Sequence, residues 1–130
     1  MGTLRVICIE DDAELGENLA ELLAAEGFLP TLVATGREGI ARALANPPDV
    51  ILCDYLLPDM DGRSVIHAVR ADRRTLSVPF VFVTARAERA VIENALDLGA
   101  AAYLTKPFTC AELVATVRAC AESAARPSAL

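Results

Sequence analysis

Asp49-Val50-Ile51-Leu52-Cys53-Asp54 is the stretch on which the fold turns. Between its two carboxylates every residue is apolar, with none of the polar alternation that marks a strand wetted on one face. A short, uninterrupted apolar run of this kind fits a strand covered on both faces, as in parallel sheets. Four comparable runs lie along the chain: Leu4 to Ile9, Phe28 to Val33, Pro79 to Val83 and Ala101 to Leu104. The segments between them carry helical periodicity instead. Leu15, Leu19, Leu22 and Leu23 recur at i, i+4, i+7 and i+8, and Leu113, Val117 and Cys120 make a second stripe. Val91, Ile92 and Leu96 make a third, read as core in preference to partner surface. Thr35 with Glu38 and Thr109 with Glu112 have the capping-box spacing that starts helices. Gly27, Gly99 and Asn46-Pro47-Pro48 sit where helices should stop. Strand and helix thus alternate five times, which predicts an α/β fold: a doubly wound, five-stranded parallel sheet covered by helices on both faces.

The 130 residues suit one compact domain, expected over residues 1–122, with 123–130 a frayed end or the start of a linker. Apolar residues make up 54% of the chain, yet the longest apolar run, near Val78 to Val83, falls far short of the roughly 18 residues a membrane span needs. No basic segment followed by an apolar stretch opens the chain, so a soluble, cytoplasmic protein is expected. A net charge of -6 argues against direct nucleic-acid binding, which calls for a basic stripe. Cys8 and Cys53 lie in strand-like runs and Cys110 and Cys120 on a predicted helix, with no CxxC and no Cys/His cluster, so all four are read as small buried or half-buried hydrophobes.

In open α/β sheets ligands bind beyond the carboxyl ends of the strands, so the residues that terminate the strands are the ones to inspect. Strand 1 ends in Glu10-Asp11-Asp12, strand 3 in Asp54, strand 4 in Thr84 and strand 5 in Lys106. Strand 2 ends blandly at Ala34-Thr35, which fits an edge position. Carboxylates converging on one crevice repel one another unless a cation neutralises them. Hard oxygen ligands without His or Cys suit magnesium, which keeps several waters and shares phosphate oxygens. Lys106 adds a fixed positive charge and Thr84 a hydroxyl donor, a set able to hold a phosphoryl group on a carboxylate. Asp12 immediately precedes the first helix and is equally readable as its cap.

These residues resemble the response-regulator receivers of bacterial two-component systems, over a stretch from Leu4 to about Cys120. The matching segments are Val6-Ile7-Cys8-Ile9-Glu10-Asp11-Asp12, Asp54-Tyr55-Leu56-Leu57-Pro58-Asp59-Met60-Asp61-Gly62, Val83-Thr84-Ala85 and Tyr103-Leu104-Thr105-Lys106-Pro107-Phe108. The resemblance implies a flavodoxin-like strand order 2-1-3-4-5. It implies Asp54 as phosphoacceptor, giving a 4-aspartylphosphate, and magnesium held by Glu10, Asp11, Asp54 and the backbone carbonyl of Leu56. Thr84 and Tyr103 fall on the switch pair and Lys106 on the salt-bridging lysine. Pro58 and Gly62 fall on the loop geometry after the acceptor, and Pro107 on a proline preceded by a cis bond. Leu56 and Arg86 fall on the two positions that tune the lifetime of the phosphorylated state. The implied donor is a histidine kinase or histidine phosphotransfer protein, and the implied output is a protein partner or downstream domain reached through the fourth helix, Tyr103 and the fifth helix. On this reading the chain is not an enzyme but a module that assists its own phosphorylation and dephosphorylation.

A competing reading is an aspartate-nucleophile magnesium phosphohydrolase, but such enzymes resemble D-x-D at the nucleophile, and here Leu56 occupies the second acidic position. A receiver that binds partners without phosphorylation is disfavoured by the intact acidic site. His67, the sole histidine, lies on a predicted helix away from any strand end and is read as a surface or packing residue. Strand 5 begins Gly99-Ala100-Ala101-Ala102, without the acidic residues expected of receivers that dimerise through charge pairs, so that form of homodimer is in doubt while another stays open.

Overall fold

The computed structural model describes residues 3–85 and 88–125. Five strands and five helices alternate: β1 (Arg5–Ile9), α1 (Ala13–Ala25), β2 (Leu29–Val33), α2 (Gly36–Ala45), β3 (Val50–Cys53), α3 (Gly62–Arg70), β4 (Phe80–Thr84), α4 (Arg89–Asp97), β5 (Ala102–Thr105) and α5 (Cys110–Ala125). All neighbouring strands pair in parallel, in the order β2-β1-β3-β4-β5, as expected. The fully buried runs of β3 and β4 occupy the middle of the sheet, and the half-exposed β2 lies at an edge.

Successive strand residues point to opposite faces, which divides the core in two. On one face Ile7, Ile9, Ile51, Cys53, Phe80 and Phe82 pack against Ala43 of α2, Val65, Ile66 and Val69 of α3 and Ala95 of α4. On the other, Val6, Cys8, Val50, Leu52, Val81 and Val83 meet Leu19 and Leu23 of α1 and Leu113 and Val117 of α5. The four cysteines are free, three of them buried and Cys110 half-buried.

The helix boundaries follow their caps. Thr109 and Glu112 form the reciprocal box, each side chain accepting the other's amide at 3.0 and 3.2 Å. Thr35 accepts the Glu38 amide at 3.1 Å, but Glu38 turns its carboxylate toward Arg42 one helical turn on, at 3.8 Å. Gly27 and Gly99 take φ of +90° and +100° just past α1 and α4, a left-handed conformation that suits glycine. At the β2 edge, the Leu29 amide donates inward to Leu4 at 2.9 Å. Because backbone direction alternates along a parallel strand, Pro30 next to it faces away from the sheet.

Two helical expectations are corrected. Leu22, placed in the α1 stripe, is 36% exposed, at the margin of the buried pair Leu19 and Leu23. In α4 only Ala95 is buried; Val91 and Ile92 are half-buried and Leu96 is 47% exposed. This helix lies over the β5 end of the sheet, where Ala95 is buried and Val91 packs against the core as expected, while Ile92 and Leu96 stand outside it. No helix among the described residues is long and apolar enough to cross a membrane.

Candidate functional site

The carboxyl ends of β1, β3, β4 and β5 converge because parallel strands all deliver their last residues to one edge of the sheet. The Asp54 amide donates to the Ile9 carbonyl at 3.0 Å, which fixes the end of β3 beside the end of β1. The Lys106 amide donates to the Thr84 carbonyl at 2.8 Å and joins β5 to β4 in the same way. Glu10, Asp11 and Asp54 thereby come together, each offering an oxygen within 4.8 Å of the others. Thr84 is buried at the end of β4. Tyr103 is half-buried in β5, its ring 6.1 Å from that of Phe82, which in turn lies 5.5 Å from Tyr55 beside Asp54.

Lys106 holds this cluster together. Its ammonium donates to Glu10 Oε1 at 2.7 Å and to Asp54 Oδ2 at 3.0 Å. The other oxygens of Glu10 and Asp54 accept backbone amides: Asp12 N–H to Glu10 Oε2 at 3.1 Å and Leu56 N–H to Asp54 Oδ1 at 3.3 Å. Burial is the larger influence on Glu10, 5% exposed, and raises its pKa although Lys106 and the Asp12 amide pull the other way. Lys106 also suffers burial, but its bonds to Glu10 and Asp54 outweigh that and hold its pKa above the usual lysine range. Asp12 resolves as the N-cap of α1, accepting the Leu15 amide at 3.1 Å, and stands outside the carboxylate cluster.

The loop after Asp54 is tightly folded. Leu56 and Asp61 form an antiparallel bridge, the Leu57 amide donates to the Met60 carbonyl at 3.2 Å, and the Gly62 amide donates to the Tyr55 carbonyl at 2.6 Å. Pro58 is exposed at the tip. Asp61 ends the loop by capping α3, accepting the Ser64 amide at 2.9 Å. Gly62 is required by close approach: a Cβ there would lie 2.5 Å from Phe82 Cε1 and 2.9 Å from the Asp54 carbonyl oxygen. The Lys106–Pro107 bond is cis, as the resemblance implied. Arg86, one of the two lifetime positions, lies outside the described residues; Leu56, the other, is 56% exposed. His67 is exposed on α3, away from the cluster.

One residue of this region was missed in the sequence. Asp59 accepts the Gly36 amide on Oδ1 and the Arg37 amide on Oδ2, both at 2.9 Å, so it clasps the first turn of α2. The Arg37 amide, then that of Gly36, lowers its pKa. A lone loop aspartate gives no periodic or spacing signal, and its partners lie more than twenty residues earlier.

Among the described residues, three carboxylates against the Lys106 ammonium leave the crevice anionic. The donor set is all oxygen, and Asp11 is exposed, so water could complete a coordination shell. That chemistry fits a small hard dication such as magnesium.

Comparison with known proteins agrees with this geometry. Residues 6–118 match the response regulator receiver domain. The DNA-binding response regulator MtrA of Mycolicibacterium paratuberculosis is 37% identical over 115 residues, which are 88% of this chain and 50% of that protein. The chain thus spans about half the length of the curated relatives it matches. Among solved structures, the receiver domain of the sensor histidine kinase PA1611 from Pseudomonas aeruginosa PAO1, with a magnesium ion coordinated in its active-site cleft, superposes with a TM-score of 0.86 at 31% identity, covering 93% of this chain and 99% of that one. The chemotaxis response regulator CheY4 of Vibrio cholerae also gives a TM-score of 0.86, at 25% identity over 92% of this chain and 99% of its own.

Proposed function

The chain belongs to the response regulator receiver family, and from that premise we propose that Asp54 accepts a phosphoryl group from the phosphohistidine of a cytoplasmic histidine kinase or histidine phosphotransfer protein. The observation that carries this reading is the bridging of Glu10 and Asp54 by Lys106 beside Asp11, at the carboxyl ends of β1, β3 and β5. In the transfer the N–P bond of the donor breaks as a P–O bond forms on the Asp54 carboxylate. Glu10, Asp11, Asp54 and the Leu56 carbonyl would hold magnesium, which when bound neutralises charge on the phosphoryl oxygens.

The chain's own groups do the rest. Lys106 keeps the Asp54 carboxylate oriented before transfer and offers its ammonium to the product. The Leu56 amide fixes the other Asp54 oxygen. Thr84 reads the added group through its hydroxyl, and Tyr103 moves in response, altering the surface of α4, β5 and α5 that a protein partner or downstream domain would recognise. The half-exposed apolar residues of α4 suit such a surface. Phosphorylation and dephosphorylation are assisted by these same groups, so the module is its own catalyst in part.

Acetyl phosphate with magnesium should add one phosphoryl group, read by mass spectrometry, and Asp54→Asn should take none. Labelling that survives in Asp54→Asn, or in excess chelator, would overturn the assignment.

A further inference from the structure

We propose that Asp59 is a positioning residue of the phosphoacceptor site: by clasping the first turn of α2 it holds the Asp54–Gly62 loop, and with it Leu56, in the arrangement that binds the cation. The inference rests on the metal role proposed above for Leu56 and says what keeps that residue in place.

The loop is closed at its base by the Gly62 amide on the Tyr55 carbonyl and by the Leu56–Asp61 bridge. Its tip, at Pro58 and Asp59, is exposed. The two oxygens of Asp59 tie that tip to α2 with bonds of equal length, 2.9 Å, to successive amides. Such amides at a helix start have no partner within the helix, and a carboxylate is their best acceptor. Met60 adds a second anchor beside the first, for it lies so close to Gly36 that a Cβ there would come within 2.6 Å of its Cγ. Leu56 is three residues from the clasp and donates its amide to Asp54 Oδ1. If the tip is released, the residue that both orients the acceptor and would offer a carbonyl to the cation is left with the Asp61 bridge alone to hold it.

The helix supplies its own control. Thr35 caps the same end of α2 by accepting the Glu38 amide at 3.1 Å and makes no bond to the loop. Thr35→Ala should therefore destabilise α2 much as Asp59→Ala does, without loosening the site. The probe is magnesium alone, titrated by calorimetry and by the amide shifts of Asp54 and Leu56, together with the acetyl phosphate labelling rate across magnesium concentration. Asp59→Ala should weaken magnesium roughly tenfold, as loss of a group supporting a metal ligand does, with the labelling rate recovering at saturating magnesium. Asp59→Asn keeps one acceptor oxygen and should recover part of the affinity, which also serves if the alanine variant fails to fold. Thr35→Ala should lower the melting temperature yet keep magnesium affinity within about twofold of wild type, well short of that loss. Wild-type affinity in both Asp59 variants, or an equal loss in Thr35→Ala, would overturn the proposal while leaving the metal site standing. Absence of magnesium binding in the wild type would instead remove the metal-site reading and this inference with it.

Discussion

Replacing Lys106 by methionine keeps an unbranched side chain out to Cε and removes the ammonium that faces Glu10 and Asp54. Glu10 is 5% exposed and Lys106 19% by side chain, so solvent screening is limited. Removing one partner of a buried pair leaves an uncompensated charge, a loss of about 3–5 kcal/mol where burial is complete. Glu10 has an escape, because it can take up a proton. From its ordinary value of 4.5 to pH 7 that proton costs 2.5 units at 1.36 kcal/mol each, about 3 kcal/mol, which caps the Glu10 share of the loss. Burial already raises Glu10, so the expected loss at pH 7 is about 2–3 kcal/mol with magnesium chelated. At pH 5 the same ceiling falls to about 0.7 kcal/mol. The sign follows from the raised carboxyl: the penalty is full above its folded pKa and fades as pH falls through it. The raised Lys106 pKa gives wild type a contribution present throughout this range and lost only in alkali, as pH rises through the folded value above 10.5. Urea unfolding of wild type and Lys106→Met at pH 7 and pH 5, without magnesium, measures both gaps. A gap at pH 7 below about 1 kcal/mol, or one that widens on acidification, would refute the reasoning.

Gly62→Ala should cost about 1–3 kcal/mol, because the new methyl meets the Asp54 carbonyl, which cannot turn aside as a flexible side chain can; a thermal midpoint equal to wild type would show that the loop has room to shift. Thr84→Ala should still accept phosphate but fail to transmit it, so beryllofluoride, a mimic of the bound phosphoryl group, should shift the Tyr103 amide in wild type and much less in the variant. Leu56 cannot orient an attacking water as an amide could, so Leu56→Asn, alone or with Arg86→Glu, should speed phosphate release by more than about twofold, a barrier change of roughly 0.4 kcal/mol. A smaller change in phosphate-release assays would remove Leu56 and Arg86 from control of the lifetime.

The sheet and its reactive edge were legible in the sequence because both are written locally. Val50-Ile51-Leu52-Cys53 has no polar alternation, and β1, β3 and β5 are followed by the residues that the structure brings to the crevice. The bland end of β2 correctly marked an edge. Less legible were features set by geometry between elements. Which apolar side chains of α4 reach the core depends on where that helix rests on the sheet: Val91 does and Ile92 and Leu96 do not, a difference their spacing does not encode. The choice between cap and ligand for Asp12 needed the Leu15 amide in view. Asp59 was passed over because its partners on α2 become neighbours only after β3 is inserted beside β1.

Pro30 bears on what happens when many copies of the chain are crowded together. Along β2 the backbones of Leu29, Thr31 and Val33 turn toward β1, leaving Pro30 and Leu32 to face outward. Proline has no amide hydrogen, so this open margin offers an incoming strand a single donor, from Leu32, where an ordinary residue at position 30 would have given two. Leu29 and Leu32, 56% and 36% exposed, would otherwise make the margin adhesive. The chain can therefore carry greasy side chains on its rim without templating the strand-by-strand growth that leads to fibres.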